Sequence, residues 1–299
     1  MTSTIDRQMQ IRHQAEARKA RQSALVHSIV GRGMIYLLLL LGCIVFIFPF
    51  VWMLQTSLKD LSQVYIWPPE WFPRPLFWDN YPEAWNILPW GRFYINTIRL
   101  AALRIIGTLL SCTLCAYGFA RLKFPGRDAL FLVMLSTMML PGQVTMIPLY
   151  LWFSQLGWID TLLPLVVPSF FGSAFFIFLL RQFFMTIPHE LDDAAKIDGC
   201  GYVRTFYSII LPLSGPVLGV VAIFTFTGAW NDFLGPLIYL TGIENYVVAI
   251  GLQWFQTRLD AHMPRLMAMA VVALLPQIIL FFFTQKRMIQ GVTLTGIKG

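Results

Sequence analysis

The sequence predicts an all-α membrane protein with six transmembrane helices and both termini in the cytoplasm. Three observations lead there. Of the 299 residues, 57% are hydrophobic and only 12% charged, against about a quarter charged in soluble domains. Apolar runs recur along the whole chain. Most of the Lys and Arg behind the +7 net charge flank those runs instead of forming one basic face, so the charge calls for no nucleic-acid partner.

Residues 1–33 are polar and basic and hold no run able to enter a bilayer, which reads as a cytoplasmic tail. The first span, Met34 to Leu54, is too long for a signal-peptide core and has no small-residue cleavage site behind it, so it should remain in the membrane. The others run from about Ile95 to Leu122, Ala129 to Phe153, Leu162 to Phe184, Leu213 to Leu240 and Leu266 to Thr284. Each has the roughly 20 residues that a hydrocarbon core requires. The membrane domain is thus 34–284 and the C-terminal tail 285–299. Fifteen Lys and Arg fall on the side of the termini, and five, Lys59, Arg74, Arg92, Arg258 and Arg265, on the other. The richer side is therefore the cytoplasm. Arg99 and Arg104 lie early in span two, where long side chains can snorkel toward headgroups.

The outer loop from Gln55 to Tyr94 is crowded with Trp, Tyr and Pro. Such a composition suits anchoring at the membrane interface or docking of a partner. Pro49, Pro141, Pro148, Pro164, Pro168, Pro236 and Pro276 fall inside spans and should bend or locally unwind them. Cys112 and Cys115 form a CxxC, but with no second pair or adjacent strand they read as small residues packing in a membrane helix. His13, His27, His189 and His262 are scattered singly, and no metal is expected.

Between spans four and five, about 186–212, lies the acidic insert "ELDDAAKIDGCGYVRTFYSIILPL". Pro188 should open a helix whose first turn holds Glu190, Asp192 and Asp193, and Gly199 should end it in the left-handed conformation. Asp198 adds a fourth acid. A second helix should follow from Tyr202, with Tyr202, Phe206, Ile209 and Ile210 on one stripe and Pro212 at its end. A net-negative helix pair gains little from anionic lipid, so a protein should cover it.

Asp193-Ala194-Ala195, three residues, Gly199, nine residues, Ile209, one residue and Leu211-Pro212 resemble the EAA loop of permease subunits of ATP-binding-cassette importers, with Asp in place of the usual Glu. The resemblance implies a coupling helix that docks on an ATPase subunit. "FTFTGAWNDFLGPLIYL" (224–240) is similar to the fifth helix of carbohydrate-type permeases. "RMIQGVTLTGIKG" (287–299) looks like the C-terminal tail of the maltose-type second permease subunit, and implies contacts from Gly291, Thr293 and Gly296 to the ATPases. The implied partners are a second homologous permease, two ATPase subunits, an extracytoplasmic substrate-binding protein and the bilayer of a bacterial or archaeal cytoplasmic membrane. The implied cargo is a sugar or oligosaccharide, with glycerol-phosphate-type or other small polar solutes as the alternative.

No GxxxxGK[ST] loop is present, so ATP and Mg belong to the partner ATPase. Nor is there a grouped acid, base and nucleophile, and the chain reads as a translocation subunit with no bound cofactor, not an enzyme. An ion-coupled transporter would carry more buried charge, whereas Asp232 is the only acid within the predicted spans. Trp230, Asn231, Asp232 and Phe233 at membrane depth serve either as polar glue between helices or as the edge of the translocation path.

Overall fold

The computed structural model describes residues 31–258 and 262–296, with side chains described for 31–256 and 262–285. Every regular element among them is helical. In order they are α1 (Gly31–Ser57), α2 (Leu61–Val64), α3 (Asn80–Ile87), α4 (Trp90–Arg121), α5 (Arg127–Ser136), α6 (Gly142–Gln155), α7 (Leu163–Val166), α8 (Ala174–Thr186), α9 (Glu190–Ile197), α10 (Tyr202–Thr205), α11 (Leu211–Leu213), α12 (Gly215–Trp230), α13 (Leu234–Tyr239), α14 (Val248–Arg258) and α15 (Met263–Gly296).

Four helical stretches cross a bilayer by length and composition: α1, α4, Leu163–Thr186 and Met263–Gln285. Six crossings result only if two bent pairs each count as one. The predicted third span is one of them, because Arg127–Met139 meets Gly142–Gln155 at 92°. Thr137–Met139 tightens into a 3-10 turn, and Leu140, pushed to an extended conformation by the following proline, passes to Pro141, which has no N–H with which to continue the helix. The predicted fifth span is likewise not continuous. It starts at Gly215 after a 78° turn at Ser214, and it breaks at Asn231–Phe233 before the short α13. The fourth is interrupted by a 3-10 segment, Val167–Phe171, and by Gly172 at φ +87°. α15 runs on as helix to Gly296, into the segment expected as the C-terminal tail.

The long α4 is the axis of the bundle. Its buried positions, Phe93, Asn96, Thr97, Leu100, Gly107, Thr108, Cys112 and Ala116, recur at helical spacing and give one apolar stripe with small residues in it. At Gly107 an added Cβ would lie 2.4 Å from Ser169 Oγ, so only glycine lets the Val167–Phe171 segment press against the helix. Ser111 Oγ donates to the Ser169 carbonyl there, at 3.0 Å. Cys112 is buried and accepts from the Ser173 N–H at 3.2 Å, a packing role of the kind expected. No group of His, Cys, Asp and Glu suited to a metal occurs among the described residues.

At one end of the bundle, α4, α8, α12 and the Phe206–Ile210 turn share a core of Tyr117, Leu180, Phe184, Phe206, Ile210 and Val221. At the other end, Trp90 and Phe93 pack with Phe255, Ala268 and Met269. There Asn96 Nδ2 donates to the Glu244 and Tyr246 carbonyls, at 2.8 and 3.0 Å, which stitches the loop after α13 to α4. By contrast, no residue of α1 before Gln55 is buried. Its apolar surface needs lipid or another chain around it.

Candidate functional site

The 186–213 segment forms the helix, turn and helix that its residues predict. α8 ends at Thr186, Ile187 is extended and Pro188 precedes α9, whose N-cap is His189. The helix therefore opens two residues after the predicted proline start. Glu190, Asp192 and Asp193 occupy its first turn and Lys196 its last, the arrangement that the helix termini favour. Gly199 has φ +75°. Its N–H donates to the Lys196 carbonyl at 3.0 Å, and that of Cys200 to the Ala195 carbonyl at 2.8 Å, which is the Schellman pairing that closes a helix. Nothing lies within 4 Å of a Cβ added at Gly199, so the backbone angle, not space, demands glycine.

The second helix departs from expectation. Phe206–Ile210 is a π turn between α10 and α11, and the extra residue rotates the stripe. The buried side chains are Thr205, Phe206 and Ile210, Ile209 is half-buried, and Tyr202 faces outward. Pro212 lies within the last turn instead of ending it, and Ser214 makes the bend. Tyr117 fixes the pair from below, its ring 5.0 Å from that of Phe206 and its hydroxyl donating to the Tyr202 carbonyl at 3.1 Å.

The main anchor of α9 is Arg121, whose side chain is 2% exposed. It donates to Asp192 Oδ2 (2.8 Å), His189 Nδ1 (2.8 Å) and the Phe184 and Ile187 carbonyls (2.7 and 2.6 Å). One guanidinium thus binds the first turn of α9 and two carbonyls at the end of α8, of which that of Phe184 also accepts from the Ile187 N–H at 3.3 Å. Sequence reasoning counted Arg121 only toward membrane orientation. The available signal was a cation at the end of a long span, facing an insert with surplus acid. Asp192 is consequently turned inward, its side chain 14% exposed.

Glu190, Asp193, Ala194, Asp198 and Leu191 remain exposed, together with Ile197 at 88%, Tyr202, Val203 and Tyr207. Asp193 Oδ1 accepts from Lys196 Nζ at 3.2 Å within the helix, and both side chains are too exposed for the pair to stabilise much. Ala195 is buried beneath them. A cleft of about 480 Å³ opens between α4 and this loop, bordered by Tyr117, Arg121, His189, Asp193, Lys196 and Tyr202. The surface therefore combines large apolar side chains with carboxylates that no other element among the described residues engages.

The WNDF stretch behaves differently. Trp230 is buried. Its indole N–H donates to the Ala273 carbonyl at 3.1 Å, and its ring stacks on Phe226 and tilts against Tyr94, which makes it packing between α12, α15 and α4. Asn231 ends α12. Its Nδ2 donates to the Thr227 carbonyl at 3.0 Å, and its Oδ1 accepts from Gln277 Nε2 at 2.9 Å. Asp232 Oδ1 accepts from the Gly235 N–H at 3.2 Å, and Oδ2 from Arg104 at 3.0 Å. These bonds satisfy backbone and side-chain groups released by the helix break. Phe233 is half-buried against the α6–α7 core. Arg104 therefore makes a cross-helix ion pair, 28% and 25% exposed, instead of merely snorkelling. Gly291, Thr293 and Gly296 lie on the last turns of α15, where side chains are outside the described residues.

Residues 107–293 match the family model described as "Binding-protein-dependent transport system inner membrane component". The chain is 31% identical over 261 residues to the diacetylchitobiose uptake system permease protein NgcG of Streptomyces coelicolor, covering 86% of this chain and 85% of that one. It is also 31% identical over 265 residues to the sn-glycerol-3-phosphate transport system permease protein UgpE of Yersinia pestis, covering 86% and 94%. Its fold is similar to that in the crystal structure of a bacterial ABC transporter involved in the import of the acidic polysaccharide alginate, with a TM-score of 0.78, 20% identity, and coverage of 87% of this chain and 96% of the other.

Proposed function

The chain belongs to the binding-protein-dependent transport system inner membrane components, and we propose that its α9–α11 end is the coupling face, docked in the cytoplasm on an ATP-binding-cassette ATPase. The observation that carries this reading is the exposed surface of Leu191, Ile197, Tyr202 and Val203 beside Glu190, Asp193 and Asp198. Side chains of that size left in water, next to exposed carboxylates of which only Asp193 is paired, with Lys196 of its own helix, fit a hydrophobic-and-charged protein contact better than lipid. The EAA-like spacing from Asp193 to Pro212 falls on the same surface. Arg121 makes it rigid, so force applied to α9 passes to α4 and α8. ATP and Mg sit on the ATPase, and this chain supplies half of the translocation path beside a second, homologous permease. The terminal turns around Gly291, Thr293 and Gly296 reach toward the ATPase pair.

With α9 in the cytoplasm, both termini lie there too, in the cytoplasmic membrane of a bacterium or archaeon. A substrate-binding protein approaches the opposite end. The cargo is a sugar or short oligosaccharide, a reading supported by the likeness to a diacetylchitobiose permease. The equal identity to a glycerol-3-phosphate permease supports the second reading, a small phosphorylated polyol. Proteoliposomes holding the complete transporter test both. ATP-dependent, binding-protein-dependent uptake of labelled diacetylchitobiose, uncompeted by glycerol-3-phosphate, supports the first. Uptake of glycerol-3-phosphate alone supports the second, and uptake indifferent to the ATPase overturns the importer assignment.

A further inference from the structure

The end of the bundle opposite α9 carries an aromatic loop whose position is tied to the depth of α1. The apolar stretch Met34–Leu54 is about 31 Å long at about 1.5 Å per residue, which matches a hydrocarbon core of about 30 Å. Phe48 and Trp52 then lie about 9 and 3 Å below its outer edge. Trp71, from the loop between α2 and α3, folds back on this very part of the helix. Its ring is 5.9 Å from that of Phe48 and 5.7 Å from that of Trp52. The loop is held there firmly. Asn80 Nδ2 donates to the carbonyls of Ser57 and Lys59, at 3.0 and 2.8 Å, and Gln63 Nε2 to that of Arg74 at 3.0 Å. The Phe77 N–H donates to the Leu58 carbonyl at 3.0 Å.

We propose that this loop is a lipid-binding wedge, with Trp67, Trp71 and Phe72 set into the boundary between acyl chains and headgroups of the outer leaflet. Trp67 is 86% and Phe72 83% exposed. Side chains so exposed would be costly in water, and they flank or adjoin Trp71, which its contacts with Phe48 and Trp52 set level with the edge of the hydrocarbon, where amphipathic aromatics are stable. Arg74, exposed two residues on, has the charge to meet a lipid phosphate. A docking partner that comes and goes would leave the patch bare between visits, whereas lipid covers it in every state. The wedge requires only that the chain spans a bilayer, so its failure leaves the importer assignment untouched.

The test places the photoreactive residue p-benzoylphenylalanine at Phe72, at Trp67 and, for reference, at Ile197 on the α9 surface. The complete transporter, reconstituted with radiolabelled phosphatidylethanolamine and phosphatidylglycerol, is illuminated with and without the binding protein. Labelled lipid should be recovered on the permease at positions 72 and 67 at ten times or more the yield at 197, whether or not the binding protein is present. Adducts at 72 and 67 to the binding protein or the second permease, or lipid labelling no greater than at 197, would overturn the wedge.

Discussion

The α9–α11 segment and the WNDF break at the end of α12 are both polar interruptions in an apolar chain, yet they dispose of their charge in opposite ways. At the break, Asn231 pairs with Gln277 and Asp232 with Arg104 and the Gly235 N–H. Its polar groups are satisfied within the chain. At α9 only Asp192 is drawn inward, by Arg121, while Glu190, Asp193 and Asp198 stay outside among exposed Leu191, Ile197 and Val203. A polar cluster that closes on itself stabilises a fold, and one left open beside apolar side chains marks where another molecule belongs.

The contrast can be broken most severely at Arg121, which joins the two ends of the α9 arrangement. Arg121→Ala takes the guanidinium away from inward-turned Asp192 and from the Phe184 and Ile187 carbonyls, the first of which keeps the Ile187 N–H, and should cost about 3–5 kcal/mol. The expected outcome is a lowered thermal midpoint of the permease alone and loss of ATPase retention in detergent, whereas an outward surface variant such as Ile197→Asp should affect retention only. At the break, Asp232→Ala strands Arg104 near membrane depth and should cost about 2–3 kcal/mol. The double variant Arg104→Leu/Asp232→Leu should recover most of that in a thermal unfolding assay, because two matched apolar groups replace the ion pair. A double variant as unstable as the single would show that the pair is not self-contained.

Gly199→Val is the next smaller change, at about 1–2 kcal/mol for a β-branched residue forced to φ +75°. It should reduce ATP-driven uptake more than it reduces insertion into the membrane. The smallest effect concerns a second self-paired carboxylate, Asp160, at the end away from α9. It accepts from the Thr241 and Gly242 N–H groups at 2.9 and 2.8 Å. The Gly242 bond, with that of Thr241, holds its pKa below the usual carboxylate value. A depressed folded pKa contributes stability that is complete above the unfolded value and fades as pH falls through the folded one. Asp160→Ala should therefore destabilise by about 1 kcal/mol at pH 7, and the gap in thermal midpoint should close below about pH 4.

The parts legible in the sequence are those set by local chemistry. Apolar runs of sufficient length located the spans, and Gly199 with the acids before it delimited α9. Long-range pairs were not legible. Arg104 and Asp232 are 128 residues apart and Arg121 and Asp192 are 71 apart, so neither partner carries a local sign of the other. Pro141 announced a bend, but its 92° angle depends on how α5 and α6 pack. The π turn at Phe206–Ile210 defeated the assumed period of 3.6 and put Tyr202 on the wrong face. Trp230, chosen for its aromatic ring, is committed to packing by the Ala273 carbonyl.

Hydrogen exchange on the intact permease part, with and without the ATPase subunits, tests the contrast most directly. Addition of the ATPase should slow exchange across Glu190–Leu213 and leave Trp230–Tyr239 unchanged. Equal exchange in Glu190–Leu213 with and without the ATPase, or protection appearing at the break instead, would contradict the assignment of α9–α11 as the open, partner-seeking cluster.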